Sequence, residues 1–303
     1  MRNDMRHGYG HFVCDNGDTY EGEWAKDSRE GQGTYTLNPS AQYVYKGAWK
    51  DDNRHGKGVL LQGGKLYYDG DWQEGAMHGQ GTMRNEDGLG DIYDGDWVDD
   101  KREGQGTYTY SEDKAVFTGQ WAKGNREGQG VLTDSDGGVI YDGAWVNNEK
   151  HGQGKYRYTE IDNSHTYEGG FQADEMCGNG RAVYENGDTY DGDWASDCRW
   201  GEGTHYYAGR DSPHGAGTYV GSWLSDYRCG MGVMTENGSV YTGEWDGDAK
   251  DGEGTLTSDG TVLRGTWQGG RMHGAFIRTI DGVETQEQWV NGKQVEGDSV
   301  AAE

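Results

Sequence analysis

The sequence is poor in the residues from which most globular cores are built. Leu, Ile, Val and Phe are scarce, and only 32% of the 303 residues are hydrophobic. No run of 18 apolar residues occurs, so no transmembrane helix is expected. The first ten residues, MRNDMRHGYG, lack the apolar core of a secretory signal. These absences predict a cytoplasmic protein.

Cysteine is also rare, and its spacing carries no pattern. The four cysteines are Cys14, Cys177, Cys198 and Cys229, and none forms a Cys-x-x-Cys pair. We interpret them as free thiols of a reducing compartment, with a zinc site as the alternative.

Basic residues are too few for several classes of partner. The 27 Lys and Arg face 53 Asp and Glu, which gives a formal charge of −26. Nucleic acid is excluded because its binding depends on Lys and Arg neutralising phosphates. Direct binding to an anionic membrane is not expected for the same reason. A basic protein partner would be attracted.

Glycine, tyrosine and tryptophan are what the sequence has in excess, with 56, 21 and 12 residues. Such a glycine-rich, acidic composition is compatible with disorder, but the aromatics recur at a regular period. In YEGEWAKDSREGQG (20–33) an aromatic, a glycine and a tryptophan alternate, and a Gly-x-Gly pair follows. In eleven copies the first glycine of the pair lies seven residues after the aromatic, while the joins vary. This pattern predicts a repeated structural unit joined by tolerant loops. The aromatics are Trp24, Trp49, Trp72, Trp97, Trp121, Trp145, Phe171, Trp194, Trp223, Trp245 and Trp267.

Each copy has the alternation of two short β-strands. Tyr20, Gly22 and Trp24 would lie on one face of a strand, with the two glutamates between them on the other. A turn is predicted over Ala25–Glu30, and a second strand follows it. Asn-Gly and Asp-Gly pairs supply the turns between copies. Both prolines, Pro39 and Pro213, lie in longer joins.

The period predicts an all-β fold: an elongated, single-layer, twisted antiparallel sheet of about twelve tandem β-hairpins. Because a single layer has no covering element, the aromatics must pack sideways onto neighbouring hairpins. A glycine opposite each Trp would leave a slot for its ring. We predict a continuous array over residues 1–297, with a partial first repeat and an atypical last one, and a flexible tail over 298–303.

The pattern Y-x-G-x-W, a polar turn and G-x-G-x-Y resembles the MORN repeat (membrane occupation and recognition nexus). Residues 20–35, 93–108 and 141–156 match it closely. Phe171 departs from it by replacing Trp, Leu263 replaces the first aromatic, and the copy ending at Trp289 lacks both Tyr and Gly.

Three kinds of chemistry find little support in the sequence. The Gly-x-Gly pairs lack the Lys-Ser/Thr and the following helix of a nucleotide-binding loop. The histidines that precede these pairs would be about 10 Å apart along the array, too far to share a metal. The many carboxylates fall in turns rather than in a cleft. No enzyme activity, cofactor or metal is expected, although weak calcium binding at the Asp-rich joins stays an alternative.

The resemblance implies a non-catalytic scaffold in a cytoskeletal assembly, most of all a ciliary or flagellar axoneme of the radial spoke head type. Its partners would be proteins with basic or helical segments, and open terminal edges would allow self-association. The alternatives are a membrane- or phosphoinositide-associated adaptor and a regulatory module of an enzyme.

Our predicted partner-binding surface is the aromatic face, whose residues also form the core between hairpins. Trp200 is the one tryptophan outside the repeat position, and it would either cap a neighbouring ring or anchor a partner. The aromatic-face residues are Tyr20, Trp24, Tyr45, Trp49, Tyr68, Trp72, Tyr93, Trp97, Tyr141, Trp145, Tyr190, Trp194, Tyr219, Trp223, Tyr241 and Trp245.

Overall fold

The computed structural model describes residues 5–37, 43–84, 90–158, 165–209 and 215–295. Within these ranges the chain forms β-strands and turns and no helix, so the all-β prediction is confirmed. The described residues therefore contain no helix able to cross a lipid bilayer. The chain divides into two compact units, Met1–Glu149 and Lys150–Glu303.

The first unit consists of twelve strands. Their bounds are β1 Gly8–Val13, β2 Thr19–Ala25, β3 Ser28–Thr36, β4 Tyr43–Lys50, β5 Asn53–Gln62, β6 Lys65–Gln73, β7 Ala76–Arg84, β8 Ile92–Val98, β9 Lys101–Thr109, β10 Val116–Ala122, β11 Asn125–Thr133 and β12 Val139–Val146.

The second unit holds the remaining strands, the first of which begins at the boundary. Their bounds are β13 Glu149–Arg157, β14 His165–Gln172, β15 Glu175–Tyr184, β16 Thr189–Ala195, β17 Cys198–Ala208, β18 Ala216–Leu224, β19 Tyr227–Glu236, β20 Ser239–Asp246, β21 Ala249–Ser258, β22 Thr261–Gln268, β23 Arg271–Ile280, β24 Val283–Val290 and β25 Lys293–Val295.

Within each unit the strands pair antiparallel with their neighbours in sequence. In β2 and β3, Tyr20 lies opposite Tyr35 and Gly22 opposite Gly33. The register then shifts, so that Trp24 lies opposite Arg29. The same shift recurs between the glycine and the tryptophan of β4, β6 and β8. Each of these hairpins therefore carries a β-bulge at the same place, which fixes its register.

The turn after each Trp is shorter than the sequence analysis predicted. Lys26 and Asp27 both have positive φ, at 51° and 72°, and form the whole turn, so that β3 begins at Ser28. Two residues of positive φ give the tight hairpin turn whose twist matches the strands. The predicted turn over Ala25–Glu30 was therefore too long, because Asp and Lys can adopt this conformation without a glycine.

The glycines make room for tyrosine rather than tryptophan. A Cβ on Gly22 would lie 2.5 Å from both the Tyr20 hydroxyl oxygen and the Gly33 Cα, and a Cβ on Gly33 would overlap the same ring. The slot predicted opposite Trp is thus filled by the Tyr of the same hairpin. Gly31, which does lie opposite Trp49, has a φ of +62° at the bulge. Because Gly31 has no side chain, it can adopt this backbone conformation without strain.

Some predictions fall outside the described residues. Pro39, Pro213 and the tail over 298–303 are among them, so the predictions of join positions and of a flexible tail stay predictions.

Candidate interaction surfaces

The sheet of each unit has two sides that differ in composition. We call the side that carries the Tyr and Trp rings the ring side, and the opposite one the reverse side. In β2 the side chains alternate, with Tyr20 and Trp24 buried and Glu21 and Glu23 exposed. This alternation confirms the predicted distribution of residues between the two faces.

The sixteen aromatic residues predicted to bind a partner form the core of the two units. Their side chains are between 0 and 7% exposed. They are Tyr20, Trp24, Tyr45, Trp49, Tyr68, Trp72, Tyr93, Trp97, Tyr141, Trp145, Tyr190, Trp194, Tyr219, Trp223, Tyr241 and Trp245. Such burial leaves little ring surface for a partner, and their role in binding stays a prediction.

Tyr and Trp rings pack alternately along the ring side. The Tyr20 ring lies edge-on to Trp24 at 5.0 Å between centroids and to Trp49 of the next hairpin at 5.4 Å. The same double contact repeats at Tyr45 and, in the second unit, at Tyr219. Each edge-to-face pair contributes roughly 0.5–1.5 kcal/mol beyond the area it buries. Sideways packing between hairpins, as predicted, replaces a second layer.

The polar atoms of these rings find partners inside the array. The Tyr68 hydroxyl donates to the Asp71 carbonyl at 3.0 Å. The Trp72 indole Nε1 donates to the Gly58 carbonyl, also at 3.0 Å. Burial raises the pKa of Tyr20 to about 12, so its hydroxyl stays a hydrogen-bond donor at neutral pH. The rings are thus satisfied as core residues.

A basic residue on the ring side couples successive hairpins. The Arg29 guanidinium lies over the Trp49 ring at 4.2 Å and donates to the Asp52 carbonyl at 2.8 Å. Burial raises the pKa of Asp52, but the hydrogen bonds from Arg29 outweigh it and the pKa is lowered. The cation–π contact adds about 0.5–2 kcal/mol. Arg29 belongs to one hairpin, whereas Trp49 and Asp52 belong to the next.

The sequence carries the signal for this coupling, which the sequence analysis missed. The fifth residue after each repeat aromatic is basic or Met. At this position, the arginines of the first unit that stack on a tryptophan are Arg29, Arg54, Arg102 and Arg126. In the second unit, Arg199 lies over Trp223 and Arg228 over Trp245. These guanidinium groups serve the core and are already engaged.

Where the sixth residue after the aromatic is an acid, it closes the next turn. Glu103 accepts a hydrogen bond from the Lys123 backbone N–H at 2.8 Å, and Glu127 accepts one from Asn147 at 2.9 Å. Asp251 does the same for Gly269. An acid here therefore has a structural role: it lies in a strand and closes the turn of the next hairpin.

Trp200 occupies this sixth position after Trp194, and it behaves differently. Its side chain is 45% exposed, and within the described residues its ring contacts no other ring and its indole N–H donates no hydrogen bond. The interpretation of Trp200 as a cap on a neighbouring ring is therefore wrong. Its interpretation as an exposed anchor stays a prediction.

The cysteines are free and partly exposed, as the sequence predicted. Burial raises the pKa of Cys198, and the Asp226 carboxylate acts in the same direction. Burial likewise raises the pKa of Cys229, as do Glu202 and Asp246. A raised pKa disfavours the thiolate, so neither thiol is activated as a nucleophile. In the described ranges no cluster of three His, Cys, Asp or Glu could hold a metal ion.

One cavity of about 280 Å³ opens on the ring side of the first unit. Among its lining groups, Asp91 accepts hydrogen bonds from the Tyr108 hydroxyl at 2.6 Å and the Ser111 hydroxyl at 2.9 Å. Arg102 donates to the Gly124 carbonyl at 2.7 Å. These bonds hold the cavity wall together.

Successive bulged hairpins are joined by ring contacts, stacked arginines and hydrogen bonds to turns. This arrangement defines a protein built from tandem β-hairpin repeats. The MORN repeat model matches twelve segments of this chain, which therefore belongs to the MORN repeat family. The matched residues are 1–19, 20–39, 45–62, 68–90, 93–112, 117–139, 141–160, 167–189, 190–212, 219–240, 241–262 and 264–275. A search of curated proteins finds no match.

Proposed function

We propose that the protein is a non-catalytic scaffold that holds basic or helical segments of protein partners in a cytoskeletal assembly. Membership of the family indicates a protein-interaction or membrane-associated repeat protein. One observation favours the scaffold. The ring side is taken up by packing between hairpins, because the sixteen aromatic residues predicted to bind a partner are at most 7% exposed. Within each unit these rings keep the hairpins in register and so hold the reverse side of its sheet in place as a surface.

The charge supports a basic protein partner. A formal charge of −26 attracts Lys- and Arg-rich segments and speeds their encounter. An axonemal setting, such as a radial spoke head, rests on the family resemblance alone. Self-association through open edges is a further part of this proposal.

The contacts of the arginines disfavour the membrane alternative. The arginines that the sequence gathers near hairpin turns, such as Arg29 and Arg126, stack on Trp and donate to turn carbonyls. They are therefore not free to bind phosphates or anionic headgroups.

The test is affinity purification of tagged protein from cells, with mass spectrometry of the detergent-resistant cytoskeletal, soluble and membrane fractions. We expect enrichment in the cytoskeletal fraction together with cytoskeletal proteins. Recovery with membranes, joined by sedimentation with anionic liposomes at physiological salt, would overturn the scaffold in favour of the adaptor.

A further inference from the structure

Hairpin β18–β19 differs from the other hairpins on its reverse side. Trp223 and Arg228 belong to the ring side, since Arg228 stacks on Trp245 and Trp223 packs on Tyr219. Successive side chains in a strand point to opposite sides. Leu224 and Tyr227, which lie next to these residues and opposite each other across the hairpin, therefore point to the reverse side, and both are exposed.

Three more apolar side chains share this side. Met231, next to Gly232, is 59% exposed, and Val220, next to Tyr219, is exposed as well. In β17, Trp200 lies between Arg199 and Gly201. Arg199 stacks on the Trp223 ring, and Gly201 lies opposite Trp223 in the neighbouring strand. Trp200 therefore lies beside Leu224. We call Trp200, Val220, Leu224, Tyr227 and Met231 the reverse-side patch.

The other hairpins show that this patch is not needed for the fold. At the position of Val220, the other copies from Glu21 to Arg264 have a charged residue or Thr. Met231 lies between the paired glycines, and at this position the other copies from Gln32 to Glu253 have Gln, Lys, Asn or Glu. At the position of Trp200 other copies have Glu, Asp, His or Cys. Several apolar departures that are each about half exposed lie in neighbouring strands, and such a patch is typical of a binding surface.

The charge around the patch indicates what binds there. Between Ala182 and Ala249 the sequence has twelve acids, no lysine and three arginines. Two of these arginines are paired, Arg199 with Asp226 at 2.9 Å and Arg228 with Asp248 at 3.0 Å. Exposed acids border the patch, with Glu244 directly opposite Met231 and Glu202 opposite Ser222. At this patch the acidic rim would repel the same acidic surface of a second copy, whereas self-association through strand edges would not involve it.

We infer that the reverse-side patch binds a basic amphipathic peptide segment of a protein partner. Apolar side chains of that segment cover Trp200 and its neighbours, and flanking Lys or Arg residues face the acidic rim. This inference deepens the proposed scaffold function and rests on it, because it places the partner on one surface.

The test measures binding of a fluorescent 18-residue peptide with Leu on one helical face and Lys on the other, by anisotropy at 150 mM salt. We compare native protein with Trp200→His/Tyr227→Asn/Met231→Gln, whose new residues all occur at equivalent positions of other hairpins. These changes leave the formal charge unaltered and spare the ring side. The matched control is Asn125→Ser/Gln129→Asn, at equivalent positions of hairpin β10–β11.

We expect the triple variant to bind at least tenfold more weakly than native protein, with an unchanged melting temperature, and the control variant to bind like native. A scrambled peptide of the same composition should bind at least tenfold more weakly to native protein. Equal binding by native and triple variant overturns the patch, as does absence of binding to native protein. The scaffold proposal would survive either result if protein partners co-purify from cells, and it fails on its own if none does.

Discussion

Hairpins β10–β11 and β18–β19 share one side and differ on the other. On the ring side, Arg126 lies over Trp145 at 4.1 Å, and Arg228 lies over Trp245 at 4.6 Å. On the reverse side, the first hairpin has polar residues where the second has exposed apolar ones. The three pairs are Thr118 and Val220, Asn125 and Tyr227, and Gln129 and Met231.

This difference shows where the repeat constrains the sequence. Ring-side positions are fixed by contacts between hairpins, so their residue types recur. Reverse-side positions in the same strands vary more in residue type, although an acid at the sixth position still closes a turn. A departure on the reverse side therefore points to binding, whereas recurrence on the ring side points to packing.

The largest contrast is expected between two tryptophans. Trp145→Ala removes a ring that is 3% exposed and should lower the free energy of unfolding by about 3–5 kcal/mol. It should also weaken partner binding by loosening the array. Trp200→Ala should change stability by no more than about 0.5 kcal/mol. Thermal and urea unfolding of both variants measure this, and similar losses would contradict the assignment of Trp200 to a free surface.

A smaller effect is expected from filling a tyrosine slot. Gly232→Ala places a Cβ within 2.6 Å of Tyr219 ring atoms and should cost about 1–3 kcal/mol. Met231→Gln, one residue away on the reverse side, serves as the control and should leave stability unchanged. Equal urea midpoints for the two variants would contradict the two-sided account.

The arginine coupling should contribute less. Arg228→Met keeps an apolar stem, as Met77 and Met176 do in other hairpins, but loses the cation–π contact and the bonds to Asp248. We expect a loss of about 1–2 kcal/mol. A double-mutant cycle with Asp248→Asn measures the coupling, and strict additivity would show that the pair does not link the hairpins.

A pH dependence is expected at His205. Its buried ring accepts a hydrogen bond from Arg199 at 2.8 Å and lies 3.6 Å from Asp188. Burial lowers the pKa of His205 to about 4, and the Arg199 charge acts in the same direction. An unfolded His titrates near pH 6.5, so this contribution to stability is complete above that pH and is lost as the pH falls toward 4.

His205→Tyr should remove that pH dependence. Its hydroxyl would donate to Asp188 as Tyr35 donates to Asp18 at 2.6 Å in an earlier hairpin. The measurement is the difference in unfolding free energy between native and variant protein, taken once at pH 7 and once at pH 4.5. The carboxylates present in both proteins largely cancel in that difference. A difference that does not change with pH would contradict the assignment.

The sequence predicted the fold well because its period is short and strict. The alternation in Tyr20-Glu21-Gly22-Glu23-Trp24 placed rings and acids on the correct sides. The prediction from the sequence failed where a contact joins residues of different copies. The role of Arg29 was not predicted, because the ring that it covers, Trp49, lies in the next hairpin.

The candidate site was less predictable than the fold. The aromatic residues were visible as a pattern, but only coordinates show that Tyr219 fills the slot over two glycines and leaves no free ring. The departures at Val220, Tyr227 and Met231 are readable in the sequence. Which side they share becomes clear only once the bulge fixes the register.

The most direct test of the account is quantitative co-purification from cells with native protein and with Trp200→His/Tyr227→Asn/Met231→Gln, both expressed at equal levels. We predict that the variant melts like native protein and loses its main protein partner at least tenfold. Full retention of that partner would contradict the claim that the reverse-side patch carries recognition while the ring side carries the fold.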